Sequence, residues 1–100
     1  MKIPKTFKIA GQKFKVEYSK KLLHKEDKVG QVRFRENRIF IQPPLKGSKI
    51  PKSHIAQTYL HEVVHVILYY MREGTEYTEG FVDLFAEFLY QILESSEGEL

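Results

Sequence analysis

The spacing of apolar residues changes once along this chain of 100 residues. In the first forty residues apolar side chains recur at every second position, as Phe14, Val16 and Tyr18 do. That period is typical of a β-strand with one buried face. After residue 52 the interval becomes three or four residues, which is typical of an amphipathic helix. Strands followed by helices predict an α+β fold.

Two hairpins account for the strands. Residues 5–18 are predicted to form the first, with a tight turn at Gly11-Gln12. The second joins strands around residues 32–35 and 38–42 through Glu36-Asn37. We therefore expect a small sheet of the antiparallel type with about four strands, followed by a loop over residues 43–52, where prolines and a glycine break regular structure.

Two helices complete the predicted domain. The first carries apolar residues at helical spacing from Ile55 to Met71. Thr78 is a candidate N-cap for the second, which extends to about residue 94. Its predicted core face consists of Phe81, Val82, Phe85, Phe88, Leu89 and Ile92. A chain of this size forms one domain, which we place at residues 1–94, with residues 95–100 as a flexible tail.

Composition excludes several kinds of site. The chain has no cysteine, so disulfides and thiolate ligands are absent, and any metal must be held by nitrogen and oxygen. No segment has the pattern of a signal peptide or the length of a membrane span, so we expect a cytoplasmic protein without a membrane partner.

The charge is divided unevenly between the two halves. Residues 1–52 hold 15 of the 16 Lys and Arg but 4 of the 13 acids, a net +11, and the remainder, with one Arg and nine acids, has a net −8. A basic half could attract nucleic acid or an acidic protein. Lysines that alternate with apolar residues are more simply the solvent-facing side of a sheet.

The segment YLHEVVHVILYY, residues 59–70, places polar groups within an apolar helix. His61 and His65 are four residues apart and share one helix face, so both imidazoles can reach one ion. Glu62 lies beside them. This H-E-x-x-H spacing is typical of two zinc ligands and a general base. Zinc lowers the pKa of a bound water from about 15.7 to about 7, and the carboxylate accepts the proton.

A catalytic zinc needs a third protein ligand and an open position. The residues after His65 lack the third histidine of the metzincin pattern, and deformylase-type sites need a cysteine. The candidates are four acids on or just before the second helix: Glu76, Glu79, Asp83 and Glu87. The last three recur every four residues and share a face opposite the phenylalanines.

HEVVH followed by EGFVD resembles the gluzincin metallopeptidase pattern. The resemblance implies a zincin-like fold in which Glu79 is the third zinc ligand and Asp83 fixes the orientation of His61, as outer carboxylates do. Residues 3–94 also resemble small phage- and prophage-type metallopeptidase-like proteins, through GQVRFRENRIFIQ, the HExxH helix and the terminal LYQIL. Unlike larger gluzincins, the chain has no second subdomain to close over a substrate.

Three further features bear on the site. Tyr69 and Tyr77 are candidates to stabilise a transition state, although such tyrosines are more often core-edge residues. His54 lies on the face of His61 and is expected to be solvated. The strand at residues 38–42 is a candidate for the sheet edge nearest the helix. Such an edge could bind the main chain of a peptide, or it could be a plain edge whose arginines prevent pairing with another strand.

The sequence therefore predicts a zinc metallopeptidase that acts on a peptide or protein, with Glu62 as general base. The alternative is a binding module in which zinc is structural and the basic sheet binds nucleic acid or an acidic protein. The sequence makes no prediction of oligomeric state.

Overall fold

The computed structural model describes residues 1–22, 29–44, 51–71 and 77–100. Four strands are followed by two helices, as predicted: β1 (Thr6–Ile9), β2 (Gln12–Tyr18), β3 (Gly30–Arg33), β4 (Arg38–Ile41), α1 (Lys52–Met71) and α2 (Glu79–Ser95). The α+β class is confirmed. No helix in these ranges is both long and apolar enough to cross a membrane.

The sheet is mixed, so the prediction of an antiparallel sheet was wrong. Its strand order is β1-β2-β4-β3. Both hairpins are antiparallel, but β2 and β4 lie side by side in parallel. β3 is separated from β2 by β4, which lies between them and runs in the direction of β2. Ser19 N–H donates to the Ile41 carbonyl at the end of this parallel pair, at 2.9 Å.

The edge strand nearest the helix is also different from the one expected. β4 is an inner strand, flanked by β2 and β3, and β3 is the outer strand on that side. β3 contacts α1 closely: a Cβ atom added to Gly30 would lie 2.8 Å from Thr58 Cγ2 and 3.0 Å from Glu62 Oε1. The backbone of β3 therefore runs directly beside the helix that carries HEVVH.

The turns explain how each hairpin closes. In the first, Ala10 and Gly11 both have positive φ, 49° and 75°, as a two-residue hairpin turn requires. The turn therefore begins one residue before the predicted Gly11-Gln12. In the second, Asn37 has a φ of 53°, a conformation that asparagine tolerates better than most residues. Asn37 N–H donates to the Phe34 carbonyl at 3.3 Å.

The core lies between the sheet, α1 and α2. The sheet contributes Phe14, Ile39 and Ile41, each at most 1 % exposed. Phe7 stacks on Phe14 and meets Tyr59 of α1 edge-on, with ring centroids 5.3 and 6.5 Å apart. Because α1 packs against both the sheet and α2, it is buried on more than one face.

The second helix is oriented differently from the prediction. Thr78 is its N-cap and accepts a hydrogen bond from Phe81 N–H at 3.0 Å. Val82 and Ala86 are the residues that α2 buries. Four members of the predicted core face are instead about half exposed: Phe81, Phe85, Phe88 and Ile92. α2 ends at Ser95, and residues 96–100 are exposed.

Candidate metal centre

Three side chains from the two helices converge on one point. Nε2 of His61 and Nε2 of His65 are 3.2 Å apart. The two oxygens of Glu79 lie opposite these nitrogens, with Oε2 3.0 Å from His61 and Oε1 3.0 Å from His65. Among the described residues these three form a group that could hold a metal ion, with all ligand atoms within 4.8 Å of one another.

Local geometry places the two histidines. They are one turn apart on α1, so their side chains project from the same face, and their ring centroids are 4.9 Å apart. Glu79 is the first residue of α2, directly after the Thr78 cap. The pairing of α1 with α2 therefore brings the start of one helix to the middle of the other.

Asp83 lies against the other side of His61. Its Oδ1 is 2.8 Å from Nδ1 of His61, close enough for a charge-assisted hydrogen bond. Asp83 is one turn beyond Glu79 on α2, so the two carboxylates reach the two nitrogens of the same ring. When Nδ1–H donates to Asp83 in a neutral imidazole, Nε2 keeps its lone pair and directs it at the group.

This arrangement could hold a metal ion. Metal–ligand bonds of about 2.0–2.2 Å in tetrahedral geometry separate neighbouring ligand atoms by about 3.3–3.5 Å. The two histidine nitrogens are 3.2 Å apart, and each is 3.0 Å from a different oxygen of Glu79. Lone pairs of two imidazoles and a carboxylate at this distance repel one another unless a cation or protons lie between them. The ligands are nitrogen and oxygen, as the absence of cysteine requires.

Glu62 lines the same groove as the three candidate ligands. Its residue is 8 % exposed, whereas the side chains of Glu79 and Asp83 are 75 % and 79 % exposed. Gly30 of β3 lies against its carboxylate. A buried carboxylate held against a backbone has a defined position, which a general base needs.

A groove with a volume of about 1030 Å³ contains the whole group. One wall is β3 with its flanking Val29 and Phe34, and the opposite wall is α2 with Glu79, Asp83 and Glu87. Tyr69 and Tyr77 also line it. Tyr69 stacks on Phe34, with ring centroids 4.1 Å apart. His54 lines the groove near the start of α1 and is exposed.

The remaining candidates have different positions. Glu87 lines the groove but does not belong to the group of possible ligands. Glu76 lies outside the described residues. Sequence reasoning gave neither Gly30 nor Thr58 a role at the site, although Gly30 begins the segment GQVRFRENRIFIQ. A glycine at the start of a strand is a signal for a close approach of another chain segment, and it could have identified Gly30.

No family model, curated protein or solved structure matched the chain in the three comparisons made. The geometry of these residues is therefore the main indication of what the protein does.

Proposed function

We propose that the protein is a zinc-dependent metallopeptidase of the gluzincin type, in which His61, His65 and Glu79 hold the metal. The observation that carries this proposal is the convergence of these three side chains at 3.0–3.2 Å. A bound zinc would polarise the substrate carbonyl and lower the pKa of a water molecule. The resemblance of HEVVH and EGFVD to the gluzincin pattern agrees with the same three ligands.

Each remaining residue has a chemical role in this proposal. Glu62 accepts a proton from the attacking water at its carboxylate and transfers it to the departing amine nitrogen. Asp83 accepts a hydrogen bond from Nδ1–H of His61 and so holds the ring in one tautomer. The phenol of Tyr69 or Tyr77 donates a hydrogen bond to the oxygen that becomes negative in the transition state.

The shape of the groove supports a peptide substrate. β3 is an outer strand of the sheet, so one side of its backbone can pair with an added extended chain. A peptide on that edge would run along α1, from the level of Glu62 beside Gly30 to the aromatic pair Phe34 and Tyr69. The volume of about 1030 Å³ suffices for several residues.

The alternative of a structural zinc has less support. Structural zinc sites usually have four protein ligands. Among the described residues the group has three, and Asp83 faces the other nitrogen of His61 instead of the group. The basic residues of β1 and β2, such as Lys8 and Lys13, are exposed on a sheet. Binding of nucleic acid by them would weaken steeply with salt, which a titration would measure.

Metal analysis of untagged protein tests the ligand set. We expect about one zinc per chain in the wild type and a large loss in Glu79→Ala. Glu87→Ala is the matched control, because Glu87 is an exposed acid on the same face of α2 that lies outside the group. Equal zinc content in Glu79→Ala and the wild type would contradict the proposed ligand set.

Hydrolysis of an unfolded protein tests the activity. The wild type should cleave it, a chelator should abolish cleavage, and added zinc should restore it. Full zinc occupancy without any cleavage would leave the metal site intact but would contradict the peptidase proposal.

A further inference from the structure

The outer face of α2 is apolar and is left about half exposed by the described residues, although Phe81 at one end of it stacks on Tyr77. Phe81, Phe85, Phe88 and Ile92 are 44–61 % exposed and occupy one stripe of the helix. Leu84, also about half exposed, lies beside this stripe. The apolar surface of α2 extends well beyond the face packed against α1, and contiguous exposed apolar surface marks an interaction site.

We propose that a second copy of the chain covers this stripe, by antiparallel pairing of two α2 helices about a two-fold axis. The four stripe residues are separated by intervals of four, three and four, and this order is the same in both directions along the helix. In an antiparallel pair, Phe81 therefore lies opposite Ile92 of the second copy, and Phe85 opposite Phe88. A two-fold interface requires this kind of self-complementary surface.

The charged residues of α2 do not oppose this pairing. Glu79 and Asp83 contact the histidines of α1, and at 100° per residue both of them and Glu87 point away from the stripe. The terminal amino group of Met1 pairs with Glu94. The residues that border the stripe towards solvent, Gln91 and Ser95, are neutral. Two copies therefore meet without burying a carboxylate.

The area agrees with a weak but specific dimer. The exposed fractions of these five apolar residues together equal about two and a half whole residues, or on the order of 450 Å² per protomer. Two copies would bury about 900 Å² from these residues, which is the size of weak, transient interfaces. We therefore expect weak association, with a dissociation constant on the order of 10 μM. Glu79 and Asp83 point away from the stripe, and the groove meets the stripe at one end, where the groove-lining Tyr77 stacks on Phe81.

Sedimentation of the full chain tests the dimer. The protein concentration should range from about tenfold below to tenfold above the expected dissociation constant of about 10 μM. The wild type should change from monomer to dimer over this range. Phe88→Glu should weaken the dimer by at least about 30-fold, because Phe88 is at the centre of the stripe in both copies and a charge there would be buried twice. Phe88→Leu should keep the dimer.

Tyr18→Glu is the matched control. It adds the same charge at a residue that is 59 % exposed on β2, away from the stripe, and it should leave the dimer unchanged. Circular dichroism should show that all three variants are folded, since Phe88 is already 53 % exposed in one copy. The dimer does not depend on the metal proposal, because zinc content is measured separately on the same samples.

Two results would overturn the proposal. The first is a wild-type chain that stays monomeric over the whole concentration range, which would mean that no second copy covers the stripe. The second is a dimer that Phe88→Glu leaves as strong as in the wild type, which would place the interface on another surface.

Discussion

Adding a single methyl group at Gly30 should have a large effect on the stability of the fold and on the position of Glu62. A Cβ at this position would lie 2.8 Å from Thr58 Cγ2, 3.0 Å from Glu62 Oε1 and 3.1 Å from Glu62 Cγ. The first distance is too short for any real pair of carbon atoms, so β3 or α1 must move. Thr58 cannot rotate freely, because its hydroxyl donates to the His54 carbonyl at 3.0 Å.

Gly30→Ala should therefore destabilise the fold by about 1–3 kcal/mol, the usual cost of overpacking. For a domain of this size, each kcal/mol lowers the melting temperature by about 4–8 °C. Cleavage of peptides should also fall, because the added methyl displaces the carboxylate of Glu62. Zinc content should stay unchanged, since Gly30 does not contact His61, His65 or Glu79 closely enough to move them.

A second substitution separates the two effects. Thr58→Ser removes Cγ2 and keeps the hydroxyl that bonds the His54 carbonyl. In the double variant, Gly30→Ala with Thr58→Ser, most of the stability should return while activity stays low, because the contacts with Glu62 remain. Urea unfolding and peptide cleavage measure the two quantities on the same samples. If Gly30→Ala were as stable as the wild type within about 0.5 kcal/mol, the close approach of β3 to α1 would be refuted.

Three further predictions concern the site and the core. Glu62→Gln should keep zinc and fold but lower cleavage by roughly 10²–10⁴, the contribution of a positioned general base. Asp83→Ala should lower zinc affinity by about 10–100-fold in a competition titration, and Asp83→Asn by less, because an amide oxygen can still accept from His61. Burial raises the pKa of the Tyr59 phenol above 10.0. The contribution of the neutral phenol to the free energy of unfolding is therefore complete below about pH 10 and is lost as the pH rises through the folded-state pKa. Tyr59→Phe should therefore lose stability less steeply above that pH.

Each of these has a result that would contradict it. Loss of zinc in Glu62→Gln would make Glu62 a ligand, and equal cleavage would remove it as the base. Unchanged zinc affinity in Asp83→Ala would mean that Asp83 does not orient His61. Parallel pH curves for Tyr59→Phe and the wild type in urea unfolding would mean that Tyr59 ionises as easily in the folded state as in the unfolded one.

Sequence reasoning worked where the relevant geometry is local. The period of the apolar residues predicted four strands followed by two helices, because each period belongs to one backbone conformation. The spacing of His61 and His65 determined that their imidazoles lie together, because residues four apart on a helix always do. The same spacing put Glu79 and Asp83 on one face of α2, so each could reach a nitrogen of His61.

Tertiary structure decided which elements are neighbours. Alternation along a strand shows which side chains face the core, but it does not show which strand lies alongside. The parallel contact of β2 with β4, and the outer position of β3 beside Glu62, therefore could not be predicted from residues 1–44. The predicted core face of α2 was wrong in most of its residues for a similar reason. Its apolar residues surround most of the helix, and only packing against α1 determines that Val82 and Ala86 are covered while Phe85 and Phe88 face outward.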